Sequence, residues 1–400
     1  MKPVVISAFT ATTCLGVGLT PLLQGLQQQR SGLALCNFDD VDFTTWAGLV
    51  SGLDDIEWPV EWAQFDCRNN RLAWLALQAD GFVQRVQAAV QRYGADRVAV
   101  LLGTSTSGIY STEVAYRHRD PVTGALPDSF NYEGTHNAFS LPDFVRHALG
   151  ITGPAAGVST ACSSSAKVFA SAARLLQTHQ VDAVVVGGVD SACYTTIYGF
   201  KSLGLTSTQP CRPFDAQRDG LSIGEGAAFA LLEQGAPQAG DLVLAGYGET
   251  SDAYHMSSPH PEGEGARTAM VQALERAGLQ PDDIGYINLH GTATPGNDAA
   301  EGCAVSALFG ERVPCSSTKG HMGHTLGAAG CVEACVSLLA LQHGLVPAGV
   351  GTQTLDSTIP PVQYVVQNRV QPQLHATLSN SFGFGGSNCS LVFRKIGATA

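Results

Sequence analysis

The sequence predicts a layered α/β fold, on three observations. Arg97-Val98-Ala99-Val100-Leu101-Leu102-Gly103 and Asp182-Ala183-Val184-Val185-Val186-Gly187-Gly188 are near-continuous apolar runs, as strands of a sheet covered on both faces require. Segments of helical period alternate with such runs along the chain. The order strand, small-residue turn, tightly packing helix occurs around Cys162 and again over residues 314–335. That match lies in pattern rather than in letters, and it suggests two similar halves. The composition shifts to Gly, Ala and Pro over residues 235–240, which sets the expected boundary between a first half, 1–240, and a second, 241–400.

Taken in order, Val4-Val5-Ile6 begins a strand. Thr20-Pro21-Leu22-Leu23 opens a helix, with Thr20 as N-cap and Pro21 at the first helical position. Residues 31–66 are irregular and acidic and read as surface loops. Residues 71–93 form one amphipathic helix ending at Gly94. Residues 97–103 are a buried strand, and residues 104–141 are either a substrate-facing excursion or a plain surface loop. Residues 153–157 are a turn and a short buried strand, and the helix with Val168-Phe169-Ala170 follows. After residues 182–188 comes a turn-rich loop, residues 211–220, and then a strand within 224–232. In the second half, residues 241–246 and 284–289 are strands, 266–277 a helix, and 327–335 a helix of small residues.

The 400 residues are 44% hydrophobic, enough for a large core or for two halves sharing one. The formal net charge of −12 argues against nucleic acid or an anionic membrane surface as partner, since both need a basic face. The eleven Cys show neither CxxC pairs nor regular spacing, so a reducing cytoplasm is the expected setting. The opening residues lack the apolar run and cleavage site of a signal peptide, and no uninterrupted apolar stretch is read as a membrane span.

Cys162 stands where a strand ends and a helix begins, among Ser159, Thr160, Ser163, Ser164 and Ser165. Unpaired N–H groups and the positive end of the helix dipole meet there, so a lowered thiol pKa is expected. Taken alone, Cys162 reads as a small core residue; the histidine motifs change that. His290, in Leu289-His290-Gly291-Thr292-Ala293-Thr294, follows a buried strand, and open α/β sheets place ligands at strand ends. His324, in Lys319-Gly320-His321-Met322-Gly323-His324, lies in a Gly-rich turn before a helix. Two neutral imidazoles facing a thiolate or thioester would supply hydrogen-bond donors. No metal is read, because no Cys or carboxylate joins His321 and His324 at ligand spacing. In Asn380-Ser381-Phe382-Gly383-Phe384-Gly385-Gly386-Ser387-Asn388 the glycines let backbone N–H groups approach a substrate, as one arm of an oxyanion hole does.

These four motifs resemble the signatures of β-ketoacyl-ACP synthases of the elongating, Cys-His-His class. Arg212-Pro213-Phe214-Asp215, Arg218-Asp219-Gly220, Gly224-Glu225-Gly226-Ala227 and residues 251–256 extend the resemblance over nearly the whole chain. It implies the thiolase fold: two pseudo-symmetric halves forming five layers, αβαβα, in a dimer. It also implies a 3-oxoacyl-ACP synthase. Cys162 would accept an acyl chain as a thioester. His290 and His324 would bind malonyl-ACP and stabilise the enolate left by decarboxylation, with Lys319 and Glu301 as supporting charges. The N–H groups of Cys162 and Phe384 would hold the oxyanion. Phe382 and Phe384 would contact the acyl chain, and Thr292 and Thr294 the pantetheine arm. The chemistry needs no cofactor.

The implied partners are acyl-ACP, malonyl-ACP, and either a second copy or a chain-length-factor-like paralogue. Carrier proteins are acidic, so a local basic patch is expected, supplied by Arg68, Arg71 and Arg212. Ala293 departs from the Gly or Ser of many relatives. Residues 105–140 match fatty-acid synthases poorly, which leaves chain length open and inclines the reading to a secondary-metabolite synthase such as the aryl-polyene type. A non-catalytic chain-length factor is the alternative, but such subunits usually lack the nucleophile. A thiolase would need a second Cys in a Gly-rich context that Cys389 does not have, and an initiating synthase would pair Cys with His and Asn.

Overall fold

The strand Val4–Thr13 is the seam between two copies of one sheet pattern. In the computed structural model, which describes residues 1–397, it pairs antiparallel with Gly226–Glu233 on one side and with Leu242–Ser251 on the other. Outward from Gly226–Glu233 lies Ala183–Asp190, antiparallel, followed by Val98–Gly103 and Ala155–Val158 in parallel. Outward from Leu242–Ser251 lies Ser387–Lys395, antiparallel, and then Ala376–Gly383, antiparallel again. Tyr286–Asn288 and Pro314–Ser316 continue in parallel. Starting from Val4–Thr13 in one half and Leu242–Ser251 in the other, the sequence of pairing senses is the same.

The helices Ser164–Gln177 and Ala329–His343 pack on each other and on strands of both halves, so they form the middle layer. Ala329–His343 is buried from Ala329 to Leu341, and Glu333 is its only acidic or basic residue apart from the terminal His343. Arg68–Leu77, Phe82–Tyr93 and Ser140–Leu149 cover the outer face of the first half. Glu264–Ala277 and Pro295–Phe309 cover that of the second. This is the five-layered thiolase fold. Residues 235–240 lie in the connection between Gly226–Glu233 and Leu242–Ser251.

Several local expectations are corrected. The helix expected over residues 71–93 is two, Arg68–Leu77 and Phe82–Tyr93, broken where Asp80 (φ 56°) and Gly81 (φ 69°) take left-handed backbone. The first helix spans Leu19–Gln27 with Gly18, not Thr20, at its N-cap. Its first N–H donates to Asp80 Oδ2 at 2.9 Å, and Thr10 Oγ1 donates to the same oxygen at 2.7 Å. A residue from the helix break thus caps a helix distant in sequence. Residues 31–66 are not only surface: Leu33, Phe38, Val50, Leu53 and Phe65 are buried. Ala155–Val158 is a partly exposed edge strand rather than a buried one. Residues 326–343 are long and apolar enough to cross a membrane by length and composition, but Glu333 interrupts them and 89% of the segment is buried within the fold.

The middle layer depends on close approach. A Cβ on Gly330 would sit 2.5 Å from the Ala166 backbone nitrogen, so the two central helices could not keep their spacing. Gly330→Ala is expected to lower stability by about 1–3 kcal/mol, as overpacking of a core does. Chemical denaturation checks this; an unchanged midpoint would contradict the packing described.

Candidate active site

Cys162 lies in the turn between Ala155–Val158 and Ser164–Gln177, as its sequence context predicts. The turn is held by the Ser164 hydroxyl, which accepts from the Thr160 N–H at 2.9 Å and donates to the Ala161 carbonyl at 2.6 Å. Ala161 adopts φ 52°, a left-handed conformation that costs an L-residue energy and turns the chain sharply into Cys162. The thiol is 6% exposed and lines a cavity of about 550 Å³.

His324 reaches the same cavity from the second half. Its N–H donates to the Ser222 carbonyl at 2.7 Å and its carbonyl accepts from Gly224 at 2.9 Å, which pins the turn to the first half. Its Nε2 stands 3.0 Å from Cys162 Sγ. His290 follows Tyr286–Asn288 and crosses His324 edge to face, ring centroids 5.2 Å apart. The Glu301 carboxylate accepts the N–H groups of His290 (2.8 Å) and Gly291 (2.7 Å), and Asn380 donates to it at 3.1 Å. Glu301 therefore holds the backbone of the His290 turn, and burial pushes its carboxyl up to about 7 against those donors. Ala293 in this turn has φ 68°, a left-handed conformation that its side chain adopts at a conformational cost.

Behind the imidazoles, Lys319 Nζ approaches His290 Nδ1 at 3.3 Å and donates to the His290 carbonyl and to Glu333. The carboxylate paired with Lys319 is Glu333, while Glu301 supports the His290 backbone. As the one acid in an apolar helix, Glu333 was visible in the sequence. An ammonium donating to Nδ1 leaves the neutral ring's hydrogen on Nε2, where it can be donated into the cavity. Burial, reinforced by the Lys319 charge, holds both His290 and His324 well below the usual imidazole range, so both are neutral at pH 7.

The donor atoms of Cys162, His290 and His324 lie within 4.8 Å of one another, a spacing open to a metal ion. The sequence argument against a metal concerned His321 and His324; the fold instead brings Cys162 and His290 to His324. The donor set itself supplies a better one: a His290 ring hydrogen-bonded through Nδ1 to Lys319 carries its proton on Nε2 and offers no lone pair there.

Thr292 and Thr294 line the cavity with their hydroxyls 2.8 Å apart, as do Phe382 and Phe384. The Phe384 N–H is near enough to the Cys162 sulfur to lower its pKa, and the Phe384 ring packs on Phe200, centroids 5.5 Å apart. Phe200, Leu205, Leu221 and parts of the segment 252–261, among them Asp252, Tyr254 and Pro259, add to the wall and mouth; the sequence reading did not single out Phe200. Cys389 is buried in Ser387–Lys395, away from this cavity.

Arg68, Arg71 and Arg212 do not line the cavity. Arg68 forms two hydrogen bonds to Glu225, at 2.6 and 2.9 Å, and Arg71 pairs with Asp66 at the same distances. These two line a separate cavity that also contains Asp54 and Asp66, so the expected basic patch is neutralised by its own neighbours. Arg212 donates to the Gln217 carbonyl at 2.6 Å.

The expected lowered thiol pKa is also corrected. Burial pushes the Cys162 thiol up to about 11, against the opposing pull of the Lys319 charge and the Phe384 N–H. The thiol is protonated at neutral pH, and His324 Nε2 is the base within reach of its proton.

The sequence matches the profile described as Beta-ketoacyl synthase, N-terminal domain, over residues 1–237, and that of Beta-ketoacyl synthase, C-terminal domain, over 242–353. It is 32% identical to a 3-oxoacyl-[acyl-carrier-protein] synthase 2 of Synechocystis sp., with 98% of each chain covered. Identity to the enzyme of that name from Rhizobium meliloti is 38%, over 74% of this chain and 73% of the relative. Among solved structures it superposes on a ketosynthase (ApeO) in complex with its chain length factor (ApeC) from Xenorhabdus doucetiae. The TM-score is 0.88 and the identity 37%, with 98% of both chains covered. A β-ketoacyl synthase from Burkholderia phymatum gives a TM-score of 0.87 at 27% identity, over 99% of this chain and 100% of the other.

The thiol's protonation state yields a direct test. Because burial raises the thiol pKa, alkylation of Cys162 by iodoacetamide should keep accelerating with pH past about 8.5, where an ordinary thiol levels off, and approach its plateau near 11. Rate against pH, read by peptide mapping, decides this; a plateau already reached at the ordinary value would show that the helix terminus outweighs burial.

Proposed function

The chain belongs to the β-ketoacyl synthase family, and we propose from that premise that it extends an acyl chain held on Cys162 with a malonyl group delivered by acyl carrier protein. One observation carries the assignment of roles: the Cys162 sulfur lies within reach of His324 Nε2, beside a His290 ring that Lys319 fixes as a donor.

Cys162 Sγ attacks the acyl thioester, its proton passes to His324 and on to the departing carrier thiol, and the acyl group stays on sulfur. The carbonyl oxygen of malonyl-ACP is then held by the His290 N–H and by His324, whose ring turns from base to donor by taking the tautomer with its hydrogen on Nε2; its Nδ1 has no partner among the described residues to prevent this. The bond to its carboxylate breaks, carbon dioxide leaves, and the electron pair is stabilised as an enolate. The α-carbon attacks the Cys162 thioester while the Cys162 and Phe384 N–H groups hold the oxyanion. Collapse expels the Cys162 thiolate and releases 3-oxoacyl-ACP. Thr292 and Thr294 receive the pantetheine arm, and Phe200, Phe382 and Phe384 the apolar chain.

For the acidic carrier we assign contact to the exposed Lys201, adjacent to Phe200 of the cavity wall, rather than to Arg68 and Arg71. The protein works as a dimer, joined at the edge strand Ala155–Val158. Ala156 and Gly157 are exposed there, and an open edge invites a second strand. Likeness to a ketosynthase solved with its chain length factor favours a paralogue at that edge and a polyene-type pathway. All eleven cysteines are free, which supports a cytoplasmic setting.

Separating the half-reactions tests the assignment. Loss of one oxyanion-type donor costs about 3–4 kcal/mol, roughly 10²–10³ in rate. His324→Ala should still take an acyl group onto Cys162, more slowly, yet release little carbon dioxide from malonyl-ACP. Cys162→Ala should form no acyl-enzyme but keep some decarboxylation. Labelled acyl-enzyme and labelled carbon dioxide are the two readouts. Wild-type decarboxylation by His324→Ala would make His324 structural.

A further inference from the structure

Asp190 ends the strand Ala183–Asp190 and is fully buried, yet it has no cationic partner among the described residues. Every group facing it donates. Its Oδ1 accepts from Thr104 Oγ1 (2.8 Å), the Ser105 N–H (2.8 Å), the Thr106 N–H (2.8 Å) and Thr106 Oγ1 (2.6 Å). Its Oδ2 accepts from the Ser105 N–H at 3.1 Å and the Ala328 N–H at 3.2 Å. These donors come from two places. Residues 104–106 follow the strand Val98–Gly103, and the Ser105 hydroxyl donates to the carbonyl of Ala161, the strained residue before Cys162, at 3.3 Å. Ala328 closes the turn between His324 and the central helix Ala329–His343.

We propose that Asp190 is a positioning residue that sets the separation of Cys162 and His324, by tying the turn that carries the nucleophile to the turn that carries the histidine. It rests on the reading of those two side chains as the reacting pair. A carboxylate is the group the site needs, because only an acceptor with two oxygens satisfies donors on both sides. Asparagine fills the same volume with one acceptor. If its oxygen takes the place of Oδ1, its NH₂ must face the N–H of Ala328, and the tie to the histidine turn is lost while the tie to residues 104–106 stays.

The charge of Asp190 also acts on the thiol. Cys162 is faced by the Lys319 cation, by Asp190 and Glu333 as anions, and by the neutral rings of His290 and His324; Asp190 and Glu333 raise the thiol pKa. Removing the Asp190 charge should therefore move the Cys162 alkylation midpoint to lower pH.

The experiment compares wild type with Asp190→Asn in three readouts: carbon dioxide release from malonyl-ACP, Cys162 alkylation against pH, and the denaturation midpoint. A catalytic group displaced by about 1 Å costs on the order of a hundredfold. The expected result is a loss of that size in decarboxylation kcat with little change in KM, together with an alkylation midpoint moved down. A decarboxylation rate equal to wild type overturns the proposal. So does a loss that merely follows the fall in folded protein with the alkylation midpoint unmoved, since that is the mark of a structural residue. If Asp190→Asn does not fold, Thr106→Val removes one hydroxyl donor and keeps the charge. It should then reduce decarboxylation with the alkylation midpoint in place, and an unreduced rate refutes the tie. A wild-type protein unable to condense acyl-ACP with malonyl-ACP would refute the proposed reaction instead. The alkylation profiles need no substrate and would still judge Asp190.

Discussion

The buried ammonium of Lys319 sets the chemistry of everything in front of it. Lys319 and Glu333 are 1% and 3% exposed, and a buried pair repays its desolvation only when geometry and further hydrogen bonds are good. Here Lys319 also donates to the carbonyl and Nδ1 of His290. Removing either partner would leave a buried charge uncompensated, which typically costs about 3–5 kcal/mol. The pair also sets the charge state of the side chains around it. Its charge presses both imidazoles toward the neutral form, and its donor fixes which nitrogen of His290 bears hydrogen. It also lowers the thiol pKa that burial raises. A wet site would screen all of these effects, and so the helix that carries Glu333 has to be an internal one.

The duplicated architecture supplies that interior. Each half contributes one helix to the middle layer, and each of those helices is preceded by a tight turn bearing a side chain of the candidate site. Cys162 precedes Ser164–Gln177, and His324 precedes Ala329–His343. Packing the two helices together brings the two turns face to face. His290 arrives separately, from the end of a parallel strand whose backbone is clamped by Glu301. The site is thus a property of the contact between halves, and the small residues at the crossing, Gly330 against Ala166, decide how close the turns come.

Much of this was legible in the sequence, because the residues of the candidate site lie at punctuation marks. Cys162, His290 and His324 each stand where an apolar run gives way to a Gly-, Ser- or Thr-rich turn, and such junctions survive in the letters. The layered α/β class and the likeness of the two halves followed from the alternation of strand and helix patterns, whereas which strands pair did not. What the sequence concealed was tertiary. The break at Asp80 and Gly81 interrupts an amphipathic pattern that continues in period on both sides. Asp80 caps a helix that a local reading assigned to Thr20. Arg68 and Arg71 looked like free positive charge because their partners, Glu225 and Asp66, are placed by folding. The thiol's pKa was misjudged for the same reason: a helix N-terminus is local and visible, whereas burial is neither. Glu333 had been visible as a lone acid in an apolar helix, yet an acid without its lysine in view carries no message.

The central claim is that Cys162 carries the growing chain and surrenders it to a carbanion made at the two histidines. It is tested most directly by following the acyl group through a single turnover. The protein is loaded from acyl-ACP, and the modified residue is identified by intact-mass and peptide mass spectrometry. Malonyl-ACP is then added. The account predicts one acyl group, on Cys162, that disappears as 3-oxoacyl-ACP and carbon dioxide form in equal amount. An acyl group found on another residue, or one that stays on Cys162 while carbon dioxide is released, would contradict it.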